Sequence, residues 1–353
     1  MADISEQIEA VEKELRELPH HKGTDHHIGR LRAKLARLSD MQMESGSKRG
    51  GGGGTGYAVK KQGDATIILI GPPSAGKSTL INKLTNAESK VAEYAFTTLS
   101  VIPGMMEYKN AKLQILDVPG LIEGAQQGKG RGKEVLSVAR NSDLIIFMTD
   151  PKRIDFFAKF VKELEAAGIR INKTMPQVKI EKKLNGGIII HTNIKQDLDR
   201  EIVKEVAGEF GIKNAEITIN EKLTIERLID VFAKNRVYIP ALYIINKIDD
   251  ENAKKKTEKA DPRILKISAE EGTGIDEMKN KIWEKLQFVT IQLLDEPKVV
   301  KSGSTLKEVA EGIGSEFLNG KTAAKIWGNG AKFDGQEVSL SAKVQDGMKV
   351  KFV

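Results

Sequence analysis

The chain has 353 residues, with 56 Lys and Arg against 49 Asp and Glu and a formal net charge of +7. That length exceeds what one core usually sustains, so several domains are expected, and the positive balance suits either an anionic partner or a merely soluble lysine-rich surface. The absence of cysteine excludes disulfides and thiolate metal sites and accords with a cytoplasmic protein.

The opening "MADISEQIEAVEKELREL" is charged throughout and lacks the apolar stretch of a signal peptide. No apolar run approaches the roughly 20 residues that cross a bilayer, so no membrane partner is expected. Ile4, Ile8, Val11, Leu15 and Leu18 recur at steps of three and four, as do Ile28, Leu31, Leu35, Leu38 and Met41 after "LPHHKGTD". The spacing predicts a helical hairpin over residues 1–45. On its second helix Arg30, Arg32, Lys34 and Arg37 form either a solvated face or contacts for RNA phosphates. His20, His21, His26 and His27 are imidazole pairs of a kind that binds zinc. Hydrogen bonding or packing between the helices is the plainer reading, because no cysteine completes a set. Residues 46–64 carry a glycine tract with too little side chain to pack and read as a linker. Lys48, Arg49, Lys60 and Lys61 around it suit RNA or solubility alike.

"ATIILIGPPSAGKSTLINKL" then reads as an apolar strand, a glycine-containing turn and a helix, the opening of a nucleotide-binding α/β domain. Strands follow in "AKLQILDVP", "DLIIFMTD" and, much later, "YIPALYIINKID". Between the last two lie roughly 90 residues, where a single crossover helix needs about 20 to 30. The domain is therefore expected at 65–150 and 238–288, interrupted at 151–237 by an α+β insertion. Within it "GGIIIHTNI" and "NAEITINEKLT" resemble strands, and Leu198, Ile202, Val206 and Phe210 have helical spacing. Residues 289–353 predict a short mixed sheet around one helix opened by a Thr305–Glu308 capping box, with an Asp-Gly turn before the final strand. Trp283 and Trp327 are expected as core anchors.

"GPPSAGKS" matches G-x-x-x-x-G-K-[ST] in the strand-to-helix context that the phosphate-binding loop requires. Gly71, Pro72, Pro73, Ser74, Ala75, Gly76, Lys77, Ser78 and Thr79 form the expected cradle, with N–H groups and a helix N-terminus facing phosphate. Lys77 bridges the β- and γ-phosphates and Ser78 ligates Mg²⁺ in this reading. A P-loop alone leaves ATPase, nucleotide kinase and GTPase open. "NKID" decides for guanine: the Asp249 carboxylate accepts from guanine N1–H and its exocyclic amine, a donor pair that adenine lacks. Lys247 lies along the ring and Asn246 braces the loop. Ser268 and Ala269 in "ISAEEG" offer a backbone N–H to the guanine carbonyl.

Asp117 ends a strand where a residue reaching Mg²⁺ through water belongs, and the Gly120 N–H suits the γ-phosphate. In "EYAFTTLSVIPG", Thr98 is the expected second Mg²⁺ ligand and Thr97 the neighbour to distinguish from it. Lys77, Thr98 and Gly120 are the contacts to the γ-phosphate and transition state, but they form no complete catalytic set. The next residue, Leu121, can neither donate nor accept the hydrogen bond that orients an attacking water. Glu123, Lys129 and Arg131 share its loop.

Taken together, "HHIGRLRAKLARL", "GGGGGTG", "GPPSAGKSTLINKLT", "YAFTTLSVIPG", "LDVPGLIEGAQQGKGRGKEV", "NRVYIPALYIINKID" and "KIWG" resemble the developmentally regulated GTP-binding (Drg) family of Obg-related GTPases. The resemblance runs along essentially the whole chain. It implies a P-loop GTPase domain with an insert similar to a ribosomal-protein fold, an N-terminal helical region and a C-terminal TGS domain of β-grasp fold. It also implies association with ribosomes or RNA, regulation by a protein partner, and a hydrophobic residue at Leu121 with slow hydrolysis unless helped. Relatives that use K⁺ often carry asparagine at the position of Ser74, so a K⁺ site here would rest on a serine hydroxyl. No DNA partner is expected. Two readings remain: a slow GTPase switch associated with translation, and a nucleotide-gated RNA- or ribosome-binding module with negligible hydrolysis.

Overall fold

The structure, a computed structural model, describes residues 3–19, 24–48, 62–85, 92–93, 100–118, 131–250, 257, 260–293 and 296–353. Two compact units emerge: Met1–Gly56 with Gly168–Tyr238, and Tyr57–Ala167 with Ile239–Val353. The chain opens with helices α1 (Ile4–Glu17) and α2 (Asp25–Lys48). Val11, Leu31 and Leu38 form their buried seam, against which Ile4, Ile8, Leu15, Leu18 and Leu35 pack. This is the face that the three-and-four spacing marks out. Helix α2 continues to Lys48, into the stretch from residue 46 that the glycine tract marks as a linker.

Next come β1 (Ala65–Ile70), α3 (Lys77–Leu84), β2 (Ala92–Glu93), β3 (Ser100–Tyr108), β4 (Ala111–Asp117), α4 (Arg131–Arg140), β5 (Leu144–Thr149) and α5 (Phe156–Ala166). Strands β1 and β5 are buried at every position. Continuous burial is the signature of parallel strands covered on both faces, and each enclosed Ile or Leu contributes about 1.5–3 kcal/mol. The sequence expectation places the insertion at 151–237, but α5 packs on β5 through Phe160 and Phe147, whose rings lie 6.1 Å apart. It therefore sits in the second unit.

The inserted part of the first unit comprises β6 (Ile169–Ile171), β7 (Val178–Lys182), β8 (Ile188–Thr192), α6 (Arg200–Glu209), β9 (Ala215–Ile219), α7 (Ile225–Phe232) and β10 (Val237–Ile239). Its main sheet has the order β7-β9-β8. The core beneath gathers Val203, Val206, Ile217 and Leu228 together with Ala33 of α2. The N-terminal hairpin is thus part of the same core as the insertion. Asp230, buried on α7, accepts both Arg170 Nε and Nη2 at 2.6 Å and Arg236 Nε at 3.0 Å. Arg236 also reaches Asp40 of α2 at 3.0 Å. Arg32 pairs with Glu226 at 2.5 Å, and Arg37 donates to the Glu209 carbonyl at 2.9 Å. Arg30 Nη2 also lies 3.3 Å from His27 Nδ1, so three of the four basic residues on α2 are engaged within the unit.

The second unit resumes with β11 (Ala241–Ile245), β12 (Leu265–Lys266) and α8 (Ile275–Leu286). Its seven-stranded sheet has the order β12-β11-β5-β1-β4-β3-β2. Strand β1 pairs in parallel with β4 on one side and β5 on the other. Connections leaving the sheet on opposite sides of β1 open a crevice at its carboxyl end, the usual ligand position in such sheets.

The final segment holds β13 (Phe288–Leu293), β14 (Glu296–Lys301), α9 (Leu306–Glu311), a 3₁₀ turn (Ser315–Leu318), β15 (Ala323–Trp327), β16 (Gln336–Ser339) and β17 (Lys349–Phe352). The strands run β14-β13-β17-β15-β16, with β13 and β17 parallel. The Thr305 side chain accepts the Glu308 N–H at 3.2 Å while Glu308 accepts the Thr305 N–H at 2.7 Å, closing the capping box. Leu306 and Val309 pack on Ile291, Ile326 and Val350, a β-grasp core. Trp283 packs against the main core beside Tyr108 and Phe288, as an anchor should. Trp327 is half-buried like Trp283, but strand alternation directs it away from the face that carries Ala324 and Ile326.

Candidate nucleotide-binding site

The turn after β1 occupies that crevice. Gly71 is required there because a Cβ would lie 2.1 Å from the Met148 carbonyl oxygen of β5. Gly76 is required twice over, by φ +92° and by the Asn246 amide nitrogen 2.3 Å from where its Cβ would stand. Ser74 also adopts a left-handed φ of 61°. Pro72 and Pro73 have no N–H, so Ser74 to Ser78 supply the backbone donors of the loop. The carbonyls are held by named donors. Lys77 Nζ reaches Gly71 O at 3.1 Å and Pro72 O at 3.4 Å, Arg153 Nη2 reaches Pro73 O at 3.0 Å, and Asn246 Nδ2 reaches Ala75 O at 2.9 Å. With these carbonyls tied back, the N–H groups of the turn can face an anion, although that of Ala75 is also given to Pro72 O at 3.3 Å.

Asn246 follows β11 and is buried. Its Oδ1 accepts the Ala269 N–H at 2.9 Å, so one side chain joins the P-loop to the "ISAEEG" loop. That contact revises one expectation, because the Ala269 N–H reserved for the guanine carbonyl is given to Asn246. The Ser268 N–H is likewise donated to Thr273 O at 3.0 Å. Ser268 is fully buried, and the hydrogen bond from its side chain, helped by Asp249's own N–H, lowers the Asp249 carboxyl below its ordinary range. Asp249 itself is exposed and so open to a base. Lys247 is exposed at φ 64°, a left-handed conformation that strains a non-glycine residue by about 1–2 kcal/mol.

Asp117 closes β4. Its Oδ2 accepts the Ser78 hydroxyl at 3.4 Å, and its Oδ1 lies 3.9 Å from Lys77 Nζ. Oδ1 is buried without a hydrogen-bond partner. Burial raises the Asp117 carboxyl above its ordinary range, against the lowering effects of Lys77 and the Ser78 hydrogen bond. An orphaned carboxylate oxygen beside a serine hydroxyl is a hard-oxygen pair suited to Mg²⁺, which would neutralise phosphate charge when bound. Thr97, Thr98, Gly120, Leu121, Glu123 and Lys129 lie outside the described residues. Arg131 begins α4, but its side chain is outside them too.

Asp150 and Arg153, absent from the sequence reading, also belong to this crevice. Arg153 Nε donates to Asp150 Oδ2 at 2.8 Å, and its Nη2 contacts the same oxygen. Burial alone would raise Asp150, but hydrogen bonds from Arg153 and the Lys152 N–H, with the charges of Arg153 and Lys247, bring it below its ordinary range. The available signal was positional: Asp150 follows β5 as Asp117 closes β4, next to the crevice strand. Among the described residues, His27 bonds Glu14 at 2.8 Å and no cluster suited to a metal is formed by histidine, aspartate and glutamate.

The P-loop at the carboxyl end of a central parallel strand, joined by Asn246 to a guanine-reading loop, defines a P-loop GTPase. The chain matches the family described as "50S ribosome-binding GTPase" over residues 66–183, its "C-terminal region" over 185–288 and the TGS domain over 289–353. An uncharacterized GTP-binding protein of Methanocaldococcus jannaschii is 46% identical over 98% of this chain and 91% of its own. Developmentally-regulated G-protein 3 of Arabidopsis thaliana is 39% identical, covering 100% of this chain and 99% of its own. Ribosome-interacting GTPase 1 of Saccharomyces cerevisiae is 37% identical over 98% of each. The chain belongs to the developmentally regulated GTP-binding protein family.

Proposed function

We propose that this protein is a cytoplasmic guanine-nucleotide switch that hydrolyses GTP slowly and associates with ribosomes or RNA. The observation that carries the nucleotide part is Asn246, whose amide bonds both Ala75 O and the Ala269 N–H at 2.9 Å and so couples phosphate cradle to base reader. In this reading Gly71 to Thr79 wrap the phosphates, Lys77 leaves Gly71 O and Pro72 O for the phosphate oxygens, and Asp249 reads guanine beside Lys247. Ser268 and Ala269 brace that loop. Ser78 and Thr98 would ligate Mg²⁺, with Asp117 reaching it through water. Thr97 flanks that ligand, and Gly120 would contact the γ-phosphate.

Leu121 cannot orient water, so the missing group is supplied by a cation, by a residue of another loop, or by a partner such as a ribosomal component or a regulatory protein. The name of the yeast relative supports the ribosome, and the net charge of +7 is compatible with RNA. The test is steady-state GTP hydrolysis with Mg²⁺ in K⁺ against Na⁺, with ATP as control and Lys77→Ala as blank. GTP-specific turnover that rises in K⁺ identifies a slow switch with a cation at work near Ser74. Turnover at the blank in both salts, with GTP still bound, assigns the missing group to a partner, and ribosomes are then added. No stimulation by ribosomes would leave the binding-module reading in its place.

A further inference from the structure

The crest of the P-loop, Pro72–Pro73, has two carbonyls and no N–H, so it takes no donor role in its own support. Pro72 O accepts from Lys77 at 3.4 Å and from the Ala75 N–H at 3.3 Å. On the nucleotide reading above, Lys77 turns to phosphate when GTP or GDP enters, and that support weakens at the moment the ligand arrives. The bond from Arg153 Nη2 to Pro73 O, 3.0 Å, draws on no atom that nucleotide needs.

Arg153, with its side chain 35% exposed, is itself held by several groups. Asp150 Oδ2 accepts its Nε at 2.8 Å, and Asp150 Oδ1 is occupied by the Lys152 N–H at 2.9 Å. The Arg153 carbonyl accepts the hydroxyl of fully buried Thr149 and the Phe156 N–H, each at 3.1 Å. The guanidinium is thus anchored at the end of β5, the strand that already excludes a Cβ at Gly71.

We propose that Arg153, aimed by Asp150, is a positioning residue of the nucleotide site: by fixing the Pro73 carbonyl it keeps the crest closed and slows nucleotide release. The inference rests on the guanine-nucleotide reading and adds a determinant of residence time. A charge-assisted hydrogen bond is of a strength that changes a rate about tenfold when lost.

The experiment is stopped-flow release of a fluorescent ribose-labelled GDP from the full-length protein, chased with unlabelled GDP. Arg153→Ala is expected to release it about tenfold faster, with unchanged preference for GDP over ADP. Asp150→Asn is expected to accelerate release less, and the double variant to match Arg153→Ala alone, because the two act through one bond. Arg153→Lys restores part of the effect, since an ammonium can reach Pro73 O but lacks the planar fork. Release from Arg153→Ala at the wild-type rate overturns the proposal, as does acceleration accompanied by equal loss of base preference. If Arg153→Ala does not fold, wild-type rates in both Arg153→Lys and Asp150→Asn overturn it. Failure of the wild type to bind labelled GDP would overturn the nucleotide reading, and the positioning role with it.

Discussion

Asn246 Nδ2 donates to the Ala75 carbonyl at 2.9 Å across 171 residues of sequence. The loop that cradles phosphate and the loop that reads the base are therefore one hydrogen-bonded object. Asn246→Ala would leave Ala75 O and the Ala269 N–H unpaired in a buried site, a penalty of about 1–3 kcal/mol for each group. GDP affinity measured by titration calorimetry should fall at least about tenfold. An unchanged affinity would mean that the two loops hold their geometry independently.

Asp117 makes a different prediction, because its burial raises its pKa. A carboxyl raised in the folded state favours folding below its unfolded value of 3.8, and that contribution is lost as pH rises through the folded value. At neutral pH the charge therefore opposes folding in the absence of Mg²⁺. Asp117→Asn should raise the melting temperature of nucleotide-free protein at pH 7.5, and the difference should shrink as pH falls towards the ordinary carboxylate range. The same variant should lose most of the Mg²⁺ dependence of GTP binding. A lower melting temperature at pH 7.5 would show that the ion pair with Lys77 outweighs desolvation.

Base choice should rest on Asp249. Asn in its place presents one acceptor and one donor group where guanine N1–H and its amine need two acceptor contacts. Asp249→Asn is expected to weaken GTP binding by about 100-fold, on the scale of two lost charge-assisted bonds, with ATP binding unchanged. Competition between labelled GDP and each nucleotide reads this directly.

In the first unit, Asp230 is the shared acceptor of Arg170 and Arg236. Asp230→Ala would remove the carboxylate shared by two guanidinium groups with side-chain exposures of 13% and 9%, a loss of about 3 kcal/mol in urea denaturation. Asp40 would still hold Arg236, but the loss should exceed that of Asp40→Ala, because Asp40→Ala leaves Asp230 with both arginines.

Much of this was written in the sequence because it is local. The P-loop is eight consecutive residues whose glycines and lysine have fixed tasks, and the hairpin α1–α2 and the Thr305–Glu308 box depend on neighbours three or four positions apart. Those physical rules operate within a turn of helix or a single loop. What tertiary structure decided are the contacts between distant segments. Arg153 meets Pro73 across 80 residues, and the Ala269 N–H is claimed by Asn246 before any base can use it. Helix α5 belongs with β5 because Phe160 finds Phe147, although its amphipathic pattern suits either side of the insertion. Arg32 and Arg37 find Glu226 and Glu209 at 194 and 172 residues' distance, where charge pattern alone left a solvated face and RNA contacts both open. Spacing tells which residues share a face; only the assembled chain tells what that face meets, because the partner is set by topology and not by sequence distance.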